Sequence, residues 1–61
     1  MKIERNDLWK AVREEIKLTM ESTGKTPYPQ KLDILTDKVI MDEALWQTFN
    51  ERVLDIIEGR V

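Results

Sequence analysis

The sequence predicts an all-α or α-dominant domain: two long antiparallel helices joined by a proline-containing connector and a short third helix. Three observations carry that expectation. Apolar residues recur at helical spacing over Leu8–Met20 and again over Leu45–Ile57. Glycines stand just past each of these stretches, at Gly24 and Gly59, where helices commonly stop. Between them Pro27 and Pro29 lie two residues apart and exclude regular helix at that point.

For the first helix, Asn6 or Asp7 offers an N-cap oxygen and Gly24 a C-terminal stop. Leu8, Trp9, Val12, Ile16, Thr19 and Met20 fall on one arc, with Lys10, Arg13, Glu14, Lys17 and Glu21 opposite. Lys10–Glu14 and Lys17–Glu21 are i,i+4 neighbours that could pair on the wet face.

Residues 23–30, Thr-Gly-Lys-Thr-Pro-Tyr-Pro-Gln, read as a connector. The prolines push Thr26 and Tyr28 to extended geometry, and Tyr28 is expected to pack back on the core. Thr23-Gly24-Lys25-Thr26 has the look of a phosphate-loop tail. Such a loop needs a strand before it and a helix after it, so a helix C-cap is the better reading.

The stretch 31–41 has two readings. A helix puts Leu32, Leu35 and Val39 on one face and leaves Ile34 and Met41 opposite. A two-stranded hairpin turning at Thr36-Asp37 would pair Ile34 with Val39 and Leu32 with Met41, giving an α+β fold. The β-branched content favours strand, but Thr-Asp is a poor two-residue turn and an isolated hairpin is marginal. The helix is preferred.

Asp42 is the N-cap of the last helix, with Met41 placed to reach Trp46 as a hydrophobic staple. Leu45, Trp46, Phe49, Val53, Leu54, Ile56 and Ile57 cover about half its circumference, wider than the roughly 100° stripe of an ordinary surface helix. Leu45, Phe49 and Ile56 are assigned to the internal core. Trp46, Asn50, Val53, Leu54 and Ile57 are assigned to a second, protein-binding surface. A blander reading makes Trp9 and Trp46 a central core pair.

Composition narrows the function classes. Residues 1–61 fit one small domain. With no cysteine and no histidine, disulfides, thiolate chemistry and His-based catalysis are excluded, and no metal or other cofactor is expected. The carboxylate sets Glu14–Glu15, Asp33–Asp37 and Glu51–Asp55–Glu58 read as solvated helix faces, because acid–base work needs a carboxyl in a cleft. The protein is expected not to be an enzyme. No uninterrupted apolar run exceeds three residues, and Met1–Lys10 has no apolar signal core, so a cytoplasmic, non-membrane protein is expected.

Ten basic and twelve acidic residues give a net charge of −2. The first thirty residues hold six basic against five acidic, and the remainder four against seven. That balance lacks the basic footprint of a nucleic-acid binder. A core this small rarely supplies more than about 3–5 kcal/mol, which is an energetic argument for a partner. The expected function is a non-catalytic protein–protein interaction module, a small regulator or inhibitor acting through the apolar C-terminal helix face and self-associating, a dimer being favoured. The alternative is a nucleic-acid-associated, helix-turn-helix-like regulator that contacts phosphates through Lys10, Arg13 and Lys17.

Overall fold

The computed structural model describes residues 4–60. Four helices follow one another: α1 (Arg5–Ser22), α2 (Pro29–Met41), α3 (Glu43–Gln47) and α4 (Phe49–Glu58). No strand occurs among the described residues, so the all-α class holds and the hairpin alternative for 31–41 does not. The Cα radius of gyration, 11.0 Å, is close to the roughly 10.5 Å of a fully compacted chain of this length.

α1 begins one turn earlier than its predicted cap. Glu4 precedes it in extended geometry and makes no side-chain cap bond, while Asn6 and Asp7 lie inside the first turn. Its end is as predicted. Gly24 takes φ 79°, the Lys25 N–H donates to the Met20 carbonyl at 2.8 Å and the Gly24 N–H to the Glu21 carbonyl at 3.2 Å. These two bonds form a Schellman stop, and they account for the phosphate-loop look of Thr23–Thr26.

The connector is shorter than its composition suggested, because Pro29 is the first residue of α2. A proline is favoured there, since its missing N–H would have no helical partner anyway and its φ already suits a helix. Tyr28 is extended, at φ −67° and ψ 135°, as expected before a proline. Its side chain is 64% exposed, so it does not pack back on the core. The two prolines already hold the chain on its path, and Tyr28 points away from it.

α2 buries Leu32, Thr36 and Val39 and half-buries Leu35, with Ile34 and Met41 left outside, which is the face the helical reading gives. It runs antiparallel to α1. Trp9 Nε1 donates to Asp37 Oδ1 and Arg13 Nε to Asp33 Oδ1, each at 2.8 Å; four residues forward in α1 match four back in α2. α2 is therefore an antiparallel neighbour of α1, which also meets the C-terminal helix α4. Arg13 is drawn to this flank. Among the described residues the ion pairs are Arg13–Asp33 and Arg60 with Asp55 and Glu58. The Lys10–Glu14 and Lys17–Glu21 pairs do not form, as is common for long exposed side chains whose ordering costs as much as the attraction returns.

The single long C-terminal helix of the sequence reading is two helices. Asp42 caps α3 as predicted, its Oδ1 accepting from the Ala44 and Leu45 N–H groups at 3.0 and 3.4 Å. Met41 remains 80% exposed, so the predicted staple buries nothing there. The break falls at Thr48, with φ −109° and ψ 17°. Its hydroxyl donates to the Ala44 carbonyl at 2.7 Å, a back-bond that favours bending but that Thr36 makes to Leu32 without interrupting α2. α4 then ends at Gly59, φ 75°, where the Arg60 N–H donates to the Asp55 carbonyl at 2.8 Å.

The core is one cluster. Val12, Ile16 and Met20 of α1, Leu32 and Val39 of α2, and Phe49, Val53, Ile56 and Ile57 of α4 are buried together, with Leu8, Leu35 and Ile40 packed against them. Neither tryptophan is in it. Trp9 is half-buried at the α1–α2 seam and Trp46 is 37% exposed, so the central tryptophan pair does not exist. Thr36, the one fully buried polar side chain among the described residues, donates to the Leu32 carbonyl at 2.6 Å.

Candidate protein-binding groove

The break at Thr48 turns α3 away from the line of α4, and a groove of about 320 Å³ opens between this corner and α1. Leu8, Ala11, Val12 and Glu15 line it from α1. Trp46, Gln47, Phe49 and Asn50 line it from α3 and α4. Val12 and Phe49 are buried core residues, so the groove floor is the outer surface of the core. Ala11 keeps the α1 wall low, and the indole of Trp46 forms part of the opposite wall.

Both walls extend by helical spacing. On α1 the stripe Leu8–Ala11–Glu15 continues to Leu18, which is 51% exposed. On α4, Asn50 continues one turn on to Leu54, which is 48% exposed.

The five residues assigned to a second surface therefore separate. Trp46 and Asn50 line the groove, and Leu54 lies one turn beyond Asn50. Val53 and Ile57 do not belong to that surface: they are 8% and 4% exposed, inside the core cluster. α4 meets both α1 and α2 as well as α3, so its apolar arc is sealed on Phe49, Val53, Ile56 and Ile57. Leu45, expected inside, is buried at 5%. Sequence reasoning missed the α1 wall. Leu8 was counted as core and Ala11 was passed over, although the small residue beside Val12 was a visible signal for a low wall.

The charges are unevenly placed. Glu15 is among the lining residues, and no lysine or arginine is. Glu4 precedes Leu8 by one turn, Glu51 follows Asn50, and Glu43 accepts from Gln47 Nε2 at 3.2 Å. The basic stripe lies on the other flank of α1. Arg13 is held by Asp33, Lys10 is exposed and Lys17 half-buried. Arg60 is held by Asp55 and Glu58.

A second depression, broader and near 690 Å³, lies at the other seam between Arg5, Asn6, Trp9, Asp37, Ile40 and Met41. Its one carboxylate, Asp37, is already the acceptor of the Trp9 indole. Among the described residues no group of three or more carboxylates is placed to hold a metal ion, and no helix is long and apolar enough to cross a membrane.

The fold is thus an all-α domain of four helices among the described residues, with a groove of mixed polar and apolar lining at the corner between α1 and the α3–α4 break. No protein-family model, curated protein or solved structure matches the chain.

Proposed function

We propose that this protein is a non-catalytic protein-binding module, a small regulator or inhibitor that takes an apolar helix of a partner into the groove between α1 and the α3–α4 corner. The single observation that carries the reading is the exposure of Trp46 and Leu54 beside a core that is already closed. Both side chains still keep apolar surface in contact with water, and aromatic residues at a groove wall are common anchors of binding energy. A helix seated there would bury apolar residues at i, i+4 and i+7 against Leu8, Ala11 and Trp46, while Gln47 and Asn50 offer amide hydrogen bonds at the rim.

A photo-crosslinking residue in place of Asn50, expressed in the native host, tests this. A discrete protein adduct is expected at Asn50 and not at the distant exposed Lys31, and Leu54→Asp should abolish it. Equal labelling at Asn50 and Lys31, or an adduct indifferent to Leu54→Asp, would overturn the reading.

A further inference from the structure

We infer that the occupant of this groove is an amphipathic helix of a different protein whose apolar stripe is flanked by lysine or arginine, and not a second copy of this chain. The inference rests on the docking reading above and adds to it the chemistry of the partner.

The argument begins from which charges can reach a docked helix. Glu15 lines the groove. Glu4 and Glu15 bracket Leu8 and Ala11 on one stripe of α1, and on the other side Glu43 precedes Trp46 by one turn while Glu51 adjoins Asn50 in the chain, about a quarter-turn further round α4. All four are exposed. No ion pair among the described residues engages any of them. The cations of α1 are on its α2-facing flank, where Arg13 meets Asp33. Arg52 lies about half a turn around α4 from Asn50 and Leu54. A helix lying in the groove therefore meets Glu15 directly, with Glu4, Glu43 and Glu51 beyond the lining and no lysine or arginine among the lining residues.

That arrangement selects among occupants. An acidic helix is repelled along its whole length, and like-charge juxtaposition at an interface is a strong discriminator against wrong partners. A two-fold dimer formed through the groove would set Glu15 and Glu51 of one copy against the same residues of the other, because such an interface is self-complementary by symmetry. A basic amphipathic helix instead places its apolar stripe on Leu8, Ala11 and Trp46 and its cationic flanks toward Glu15 and the carboxylates beyond the lining. The wall Leu8–Glu15 spans about two helical turns and Trp46–Asn50 little more than one, which suits a short segment rather than a long coiled-coil strand.

The test is a titration of the intact chain, followed by amide NMR shifts, with three peptides of about 15 residues that share one leucine stripe at i, i+4 and i+7. Their flanks are all lysine, all glutamine or all glutamate. The lysine peptide is expected to bind about tenfold more tightly than the glutamine peptide, with shifts centred on Ala11, Glu15, Asn50 and Leu54. That gap should shrink as salt is raised, and the glutamate peptide should not bind. The exposed pair of substitutions Glu15→Lys and Glu51→Lys should reverse the order. Equal affinity for all three peptides would overturn the inference while leaving the docking reading intact. So would failure of the lysine peptide to bind, or shifts confined to the Arg5–Met41 depression. A concentration-dependent dimer of the free protein that shifts these same four amides would replace the basic helix with a second copy and overturn it too.

Discussion

Trp9 Nε1 donates to Asp37 Oδ1 at 2.8 Å, and one turn further along α1 the Arg13 guanidinium does the same to Asp33. These two contacts bind the longest helix of the chain to its antiparallel neighbour from the solvent side, above a seam closed by Ile16, Leu32 and Val39. They set register more than they supply stability, because both acceptors are exposed and screened by water.

Trp9→Phe keeps an aromatic ring but a smaller one, and removes the N–H donor, so it should lower unfolding stability by at least about 0.5–1 kcal/mol. Paired with Asp37→Ala in a urea-denaturation cycle, the two changes should show a coupling of at least about 0.3 kcal/mol. Strict additivity would mean that the indole–carboxylate bond holds nothing in place.

Thr36 is fully buried, and its hydroxyl bonds to the Leu32 carbonyl at 2.6 Å. That carbonyl already accepts the Thr36 N–H within the helix, so losing the hydroxyl leaves no acceptor unsatisfied. Thr36→Val should therefore be neutral or raise stability by up to about 1 kcal/mol. A loss above about 1 kcal/mol in thermal or urea melts would show that the hydroxyl has a further role in the seam.

Thr36 also marks where a sequence stops being legible. The periodicity of Leu32, Leu35 and Val39 placed α2 correctly and chose its buried face, because three apolar residues at helical spacing outweigh a few β-branched ones. A threonine inside that arc carries no apolar signal of its own, and only the packed structure shows it sealed. The same limit divided α3 from α4. Periodicity runs unbroken from Leu45 to Ile57, and nothing in it marks Thr48, where the backbone leaves helical geometry. The groove follows from that corner. Its Trp46 and Asn50 could be named in advance, whereas its α1 wall could not, since Leu8 satisfies a core pattern and a groove pattern alike.

The corner should respond to its two polar residues in different ways. Asp42→Ala removes the acceptor of two α3 N–H groups and should cost about 1 kcal/mol. Thr48→Ala removes the β-branch and the back-bond and should let the helix run on from α3 into α4, raising helicity by circular dichroism. As the corner straightens, the Trp46 indole should change its surroundings, seen as a shift of its indole N–H resonance. An unchanged Trp46 environment in Thr48→Ala would show that tertiary packing, not the threonine, holds the bend.

Val53 and Leu54 are chain neighbours with opposite surroundings, 8% and 48% exposed. From the sequence alone, Val53→Glu would be chosen to break an interface and leave a folded subunit. The structure reverses that expectation. Val53 sits among Phe49, Ile56 and Ile57 in the core cluster, and a glutamate there would bury an unpaired carboxylate at a cost of several kcal/mol. A domain of this size holds only about 3–5 kcal/mol in total, so Val53→Glu should unfold the chain outright. Leu54→Glu changes a half-exposed position and should alter stability by less than about 1 kcal/mol, while adding a further negative charge beside the groove. Far-ultraviolet circular dichroism with a urea melt separates the two variants: a folded Val53→Glu, or an unfolded Leu54→Glu, would mean that α4 presents a different face to the core.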